Sequence, residues 1–171
     1  MIDSLSPARL KRYADARLPR YTSYPTAPNF SAAIGEADYC SWLGALPPKS
    51  ASLYVHVPFC AAMCWYCGCH TTVAAREAPV DRYVQSLHQE IELVAGAVAW
   101  PLTVNHLHFG GGTPTLMQPM QMRAIVDDLR NRFDFDRDAE VAIEIDPRTL
   151  SDGMAETLGA CGFNRASLGV Q

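Results

Sequence analysis

The chain has 171 residues, of which 49% are apolar, so it can bury a sizeable core and is not disordered as a whole. Its 14 basic and 18 acidic residues give a net charge of -4, which argues against a dedicated DNA or RNA binder, because such proteins carry a basic face. No run of about 18 apolar residues is present, so no membrane span is predicted. The polar, basic N-terminus argues against secretion, and we expect a cytoplasmic protein whose six cysteines stay reduced.

The first 50 residues form an N-terminal arm rich in turn-forming proline and glycine. We expect little regular structure there beyond one short helix near residues 37–46. From residue 52 the pattern changes: Leu53, Val55 and Val57 alternate with Tyr54 and His56, as in a β-strand.

The remaining chain alternates helical and strand patterns. Apolar residues recur at helical spacing in residues 79–98 and 122–133, and apolar strands are predicted at 104–109, 140–145 and 165–170. Thr149 with Asp152 resembles a capping box that opens a short helix, and Gly162 is a suitable C-terminal stop for it. This alternation predicts an α/β fold with right-handed crossovers and a parallel sheet.

Four strands and three helices are too few to close a (β/α)₈ barrel, which takes about 200 residues or more. The sequence also ends on an apolar strand that no helix follows, which leaves a sheet edge open. We therefore expect residues 51–171 to be the first part of a longer barrel, truncated after its fourth strand. Alone, such a fragment is expected to associate and to be inactive. The alternative is a complete small α/β domain.

Four of the six cysteines lie within residues 60–69. In a reducing compartment such a cluster indicates a metal site, and thiolates suit both zinc and iron–sulfur clusters. Structural zinc usually takes two cysteine pairs about twelve or more residues apart, whereas Cys161 is isolated here. The triplet Cys60, Cys64 and Cys67 therefore predicts an iron–sulfur cluster with one open iron. Cys69 is expected beside the cluster without binding it, because a fourth ligand would close that site; the alternative is a small core residue.

Two further features are expected on the same rim of the sheet. Gly110, Gly111 and Gly112 follow a predicted strand, and glycines allow the backbone to approach a ligand closely, although a tight turn is the alternative. Glu144 near the end of the next strand can accept hydrogen bonds from ribose hydroxyls, or it is a solvated strand residue. Tyr54 and Tyr66 flank the cysteine loop and can pack on an adenine or shield the cluster. His56 can line the pocket, and the other histidines suggest no metal set.

Several motifs together resemble one family, oxygen-independent coproporphyrinogen III oxidase of the radical S-adenosylmethionine superfamily. They are LYVHVPFC at 53–60, CWYCGC at 64–69, HFGGGTPT at 108–115, IEIDPR at 143–148 and GFNR at 162–165, with PRYTSYPTA at 19–27 in the arm. The likeness covers nearly the whole chain from about residue 19 and would correspond to about the first third of a full-length member.

The resemblance implies a 4Fe–4S cluster, two S-adenosylmethionine molecules and coproporphyrinogen III as the substrate. Two propionates of that substrate become vinyl groups, giving protoporphyrinogen IX in haem biosynthesis, with a reductase or small electron carrier as partner. The resemblance also implies the role of each matching residue. Cys60, Cys64 and Cys67 would bind the cluster; Tyr54, Gly111 and Glu144 would serve the cluster-bound cofactor; and Tyr66, Gly112, Thr113 and Gln171 would serve the second one. The family often has phenylalanine where this chain has Tyr66.

Three alternatives stay open. A haem chaperone of the same superfamily shares the cysteine loop and the glycine run, but generally lacks the arm motif and the Cys-Gly-Cys ending that are present here. Another radical S-adenosylmethionine enzyme acting on tetrapyrroles would share the same motifs. The third alternative is a plain electron-transfer domain, which needs no cofactor pocket. The glycine run and Glu144 argue against it, because they indicate such a pocket. We expect a full-length protein that is monomeric and binds neither nucleic acid nor membrane.

Overall fold

The computed structural model describes residues 6, 11, 26–65, 67–74 and 76–170. These residues belong to two compact units, one reaching Gly35 and one beginning at Glu36. In the first unit, a short 3₁₀ turn at Ala27–Asn29 is closed by the N–H of Asn29, which donates to the carbonyl of Thr26 at 2.8 Å. Residues 19–25 of the arm motif lie outside the described residues, and the division at residues 50 and 51 stays a prediction.

The second unit alternates strands and helices in the predicted order. Its elements are α1 (Glu36–Gly44), β1 (Ser50–Val57), β2 (Phe59–Cys60), β3 (Thr72–Val73), α2 (Ala78–Ala97), β4 (Thr103–Gly111), α3 (Pro119–Arg132), β5 (Asp134–Ile145), α4 (Asp152–Ala160) and β6 (Arg165–Leu168). Across the described part of the chain, every helix is too short or too polar to cross a bilayer.

Four strands form one parallel sheet in the order β1, β4, β5 and β6. One helix joins each neighbouring pair, namely α2, α3 and α4, so the predicted α/β fold with parallel strands is confirmed. Strands that are neighbours in both sequence and space are also what a (β/α) barrel requires. Strand β5 begins earlier than predicted because Asp134 and Phe135 pair with Thr103 and Val104 ahead of a register shift.

Alternation along the strands separates two faces of this sheet, because successive side chains of a strand point to opposite sides. One face carries the buried apolar residues, which form a single cluster with the apolar sides of α2, α3 and α4. The strand members of this cluster are Val55, Val57, Val104, Leu107, Phe109, Val141, Ile143 and Ile145. The opposite face carries Tyr54, His56, His108, Gly110 and Glu144, so polar groups gather on the side away from the helices.

The sequence correctly predicts the C-terminal end of α4 but not its N-terminal cap. Gly162 follows the helix with a positive φ of 77°, which confirms it as the C-terminal stop. The predicted capping box of Thr149 with Asp152 is wrong, because the helix begins at Asp152 and the residue before it is Ser151. The Oγ of Ser151 accepts the N–H of Met154 at 3.2 Å, whereas the Thr149 hydroxyl donates to the carbonyl of Asp146 at 3.3 Å.

The buried side of α3 should dominate the stability of this unit. Ile125 is fully buried against the sheet, whereas Leu93 on α2 is 66% exposed. We expect Ile125→Ala to lower the free energy of unfolding by about 2–5 kcal/mol, through lost burial and the cavity that remains. Leu93→Ala should change it by no more than about 0.5 kcal/mol. Denaturant unfolding followed by far-UV circular dichroism measures both, and equal midpoints for the two variants would contradict this packing.

Candidate active site

The cysteine loop is closed at its base by a small parallel ladder between β2 and β3. The N–H of Thr72 donates to the carbonyl of Pro58 at 2.7 Å, and the N–H of Ala74 donates to the carbonyl of Cys60 at 3.0 Å. Within the loop, the N–H of Cys67 donates to the carbonyl of Cys64 at 3.1 Å. The loop therefore begins directly at the carboxyl end of β1 and returns to the same place.

The glycine segment at the end of β4 docks against this ladder through its backbone. The N–H of Gly112 donates to the carbonyl of Val57 at 2.8 Å, and the N–H of Thr113 donates to the carbonyl of Phe59 at 2.7 Å. A Cβ on Gly112 would lie 2.5 Å from the carbonyl oxygen of Phe59 and 2.9 Å from the Sγ of Cys60. Glycine is therefore required here by the close approach of two backbones.

Each of the three predicted cluster cysteines has a hydrogen-bond partner at its sulfur. The Thr113 hydroxyl donates to Cys60 Sγ at 3.5 Å, and the Thr71 hydroxyl lies 4.0 Å from Cys67 Sγ. The Arg148 guanidinium donates to Cys64 Sγ at 3.6 Å. A hydrogen bond from the backbone N–H of Cys69 is the main reason why the pKa of Cys67 lies below its ordinary value. For Cys67 this hydrogen bond favours the thiolate, which is the form that binds metals.

The cysteine sulfurs decide which kind of metal centre this part of the structure can hold. Thiolates are soft ligands that suit iron–sulfur clusters. Within the described ranges, no group of three or more His, Cys, Asp and Glu side chains converges closely enough to hold one metal ion. Cys60, Cys64 and Cys67 all line one cleft, and their donor set fits a sulfur-rich cluster.

Cys69 lies in the same cleft but differs from the triplet in its electrostatics. Burial raises the pKa of its thiol above the ordinary value, and the neighbouring Cys67 raises it further. Cys69 is thus held closer to its neutral form than Cys67 is. Whether it binds the cluster stays a prediction.

Glu144 is fixed in place by two partners on β4. The N–H of Gly111 donates to Glu144 Oε2 at 3.1 Å, and His108 Nε2 lies 3.4 Å from Glu144 Oε1. The carboxylate remains about half exposed, and each carboxylate oxygen can accept a further hydrogen bond. The structure therefore brings Glu144 and Gly111 into direct contact, with room for a ligand hydroxyl on the same carboxylate.

Tyr54 belongs to the same polar group on the face away from the helices. Its ring stacks on that of His108, with centroids 5.8 Å apart and planes inclined by 11°, and its hydroxyl lies 3.0 Å from His56 Nδ1. Partial burial, followed by the charge of Glu144, raises the pKa of Tyr54 above its ordinary value. Tyr54 therefore keeps its proton at neutral pH and can present a flat face and a hydroxyl group.

An open cleft of about 800 Å³ unites these groups at the carboxyl ends of the strands. Eight of the predicted site residues line it: Cys60, Cys64, Cys67, Cys69, Gly111, Gly112, Thr113 and Glu144. Tyr54 lies beside the cleft, against His108. Tyr66 and Gln171 lie outside the described residues, and their roles stay predictions.

Sequence reasoning missed two residues of this site. His108 was set aside with the other histidines, yet its place two residues before Gly110 puts it on the polar face, paired in register with Tyr54. That alternation could have identified it. Arg148 was noticed only as part of a motif, and its contact with Cys64 joins positions 84 residues apart, which no local pattern reveals.

The tight docking of the glycine segment leads to a stability prediction. Gly112→Ala should lower the free energy of unfolding by about 1–3 kcal/mol, because the added methyl group meets rigid backbone rather than a movable side chain. Gly159 on α4 is the matched control, since nothing lies within 4 Å of a Cβ added there. Gly159→Ala should leave the stability unchanged or raise it by up to about 1 kcal/mol. Chemical denaturation of both variants checks this, and a Gly112→Ala variant as stable as the control would contradict it.

The known proteins that are similar to this chain are much longer than it is. The oxygen-independent coproporphyrinogen III oxidase of Bradyrhizobium diazoefficiens is 52% identical over 160 residues, which cover 93% of this chain and 36% of that protein. The enzyme of the same name from Escherichia coli K12 is 44% identical over 153 residues, covering 90% of this chain and 33% of that protein. The chain thus spans about a third of the length of the curated relatives it matches.

The fold agrees with a solved structure of the same group. The structure of coproporphyrinogen III oxidase from Escherichia coli, described as a radical SAM enzyme, matches with a TM-score of 0.81 and 42% identity over 88% of this chain and 35% of that chain. The family model for the Radical SAM superfamily matches residues 54–171, which is well over half of the sequence and includes the cysteine loop, the glycine segment and Glu144. The chain therefore belongs to the Radical SAM superfamily.

Proposed function

We propose that this chain carries the cluster and cofactor site of an oxygen-independent coproporphyrinogen III oxidase. Membership of the superfamily implies a 4Fe–4S cluster and S-adenosylmethionine. The observation that carries the proposal is the convergence of three cysteines, the glycine segment and Glu144 on one cleft. The relatives named for this activity, which share 52% and 44% identity with the chain, support the choice of reaction.

In this proposal Cys60, Cys64 and Cys67 would hold the 4Fe–4S cluster, and S-adenosylmethionine would bind next to it. When bound, the cluster would supply the electron for reductive cleavage of S-adenosylmethionine. The chain's own contribution is to orient the cofactor. Glu144, held by Gly111 and His108, accepts hydrogen bonds from the ribose hydroxyls, and Tyr54 packs beside the adenosyl group.

The charge of the cleft supports a sulfonium ligand. Two carboxylates, Glu144 and Asp146, line it together with four cysteines, and Arg148 is the single cation among the described lining residues. A site of this kind favours the positively charged sulfonium and disfavours a polyanion. The carboxylates of coproporphyrinogen III therefore need basic groups from outside this lining.

The remaining parts of the proposal follow the resemblance. Gly112 and Thr113, with Tyr66 and Gln171, serve a second S-adenosylmethionine molecule. The adenosyl group released from S-adenosylmethionine would take a hydrogen atom from the β-carbon of the substrate propionate, carbon dioxide would be lost, and one electron would pass to an acceptor. A reductase or small electron carrier supplies the electron for cofactor cleavage. The native protein acts in the cytoplasm as a monomer.

The cluster assignment leads to a direct test with matched cysteine variants. Anaerobic reconstitution of the native protein should give about four irons per chain, and serine in place of Cys60, Cys64 or Cys67 should abolish the four-iron signal. Cys69→Ser should keep the cluster but lose turnover. Cys40 is exposed on α1, so Cys40→Ser is the control and should retain both. Iron and sulfide analysis with electron paramagnetic resonance measures these contents, and a stable zinc site in their place would refute the assignment.

Activity separates the oxidase from the runner-up function, a haem chaperone. The native protein, reduced and kept anaerobic, should release carbon dioxide from coproporphyrinogen III only when S-adenosylmethionine is present. Glu144→Gln keeps the size of the side chain but removes the negative charge of the group that accepts hydrogen bonds from the ribose. The variant should need a cofactor concentration about tenfold higher or more for half-maximal rate, because one charge-assisted hydrogen bond is lost. Tight haem binding without decarboxylation would favour the chaperone.

A further inference from the structure

Arg148 is the charged member of the three hydrogen-bond partners at the cysteine sulfurs. The partners of Cys60 and Cys67 are the neutral hydroxyls of Thr113 and Thr71. Cys64 instead receives its hydrogen bond from the Arg148 guanidinium, at 3.6 Å from Nη2 to Sγ. The three sulfurs therefore differ electrostatically, and Cys64 lies next to a full positive charge.

Asp146 holds this guanidinium in a defined orientation. Asp146 Oδ1 accepts the Arg148 Nε–H at 2.9 Å and its backbone N–H at 3.0 Å, while Oδ2 accepts from Nη2 at 2.7 Å. Such a two-pronged contact fixes the plane of the guanidinium group. Nη2 carries two hydrogens, so it can donate to Asp146 and to Cys64 at once. Because Asp146 directly follows β5, the arginine is tied to the rim of the sheet.

Arg148 brings a positive charge into a cleft whose other described charged residues are acidic. Among the described residues that line the cleft, Glu144 and Asp146 are acidic, four are cysteines, and Arg148 is the single cation. Asp146 balances the charge of Arg148, but the atom that contacts the sulfur of Cys64 is Nη2 of the guanidinium. The pair therefore presents its positive end to Cys64.

We propose that Arg148 is a positioning residue that donates to Cys64 and thereby favours the reduced form of the cluster. The inference depends on the proposed function, since it requires the cluster on Cys60, Cys64 and Cys67. Reduction adds one electron, taken from the external reductant, to the cluster, and Arg148 keeps its proton throughout. The added negative charge spreads onto the ligand sulfurs, where a cationic donor stabilises it more than it stabilises the oxidised state.

The midpoint potential of the cluster tests this in the native protein without S-adenosylmethionine. Arg148→Met removes the donor and the charge. We expect its midpoint to be more negative than that of the unmodified protein by about 59 mV, which is a tenfold loss of preference for the reduced state in a one-electron couple. Arg165→Met is the matched control, because Arg165 makes a similar ion pair at 2.7 Å with Glu140, away from the cleft. Its midpoint should equal that of the unmodified protein.

The outcomes separate this inference from the proposed function. An unmodified protein without a four-iron signal refutes the proposed function. An intact cluster whose midpoint is the same in Arg148→Met and Arg165→Met overturns only the role of Arg148. Should Arg148→Met not assemble a cluster, Arg148→Gln carries the comparison with the same expected sign. Failure of both Arg148 variants to assemble, when Arg165→Met does, makes Arg148 a structural residue and also overturns the proposal.

Discussion

The site depends on one contact, the docking of the glycine segment onto the backbone that follows β1. Two hydrogen bonds, from Gly112 to Val57 and from Thr113 to Phe59, tie the end of β4 to the start of the cysteine loop. They form only because no side chain separates the two backbones at Gly112. The same approach puts the Thr113 hydroxyl on Cys60 Sγ. Cys60, the proposed cluster ligand, and the glycine segment, the proposed cofactor-binding segment, are thus fixed by backbone geometry.

The sheet extends this constraint to the other groups. Parallel pairing sets Val57 opposite Gly111, and Phe109 opposite Ile143, so the carboxyl ends of β1, β4 and β5 lie level. Alternation then assigns one set of side chains to the helix-covered core and the other to the polar face. Glu144 contacts Gly111 because it lies on that second face, one residue before its strand ends. The pairing register of β1, β4 and β5 therefore determines both the packing of the core and the geometry of the site.

Much of this could be predicted from the sequence, because the signals are local. Helical periodicity located α2 and α3 to within a few residues, and the cysteine spacing identified the loop. Two features were missed because residues far apart in the sequence determine them. The β2–β3 ladder joins two very short segments with no periodicity, and the Arg148–Cys64 contact spans 84 positions. The helix cap was misplaced by local ambiguity, since Thr149, Ser151 and Asp152 are all good capping residues.

The electrostatics of the cleft explain why a lone arginine matters at this place. Glu144 and Asp146 both line the cleft, and like charges repel more strongly where solvent is excluded. In the proposed holoprotein, a sulfonium cofactor would offset Glu144, and the cluster irons would offset the cysteine thiolates that hold them. Asp146 remains, and Arg148 neutralises it through direct hydrogen bonds that also lower the pKa of the Asp146 carboxyl. Nη2 of the same guanidinium also donates to Cys64 Sγ, so the group that balances Asp146 also contacts the sulfur of Cys64.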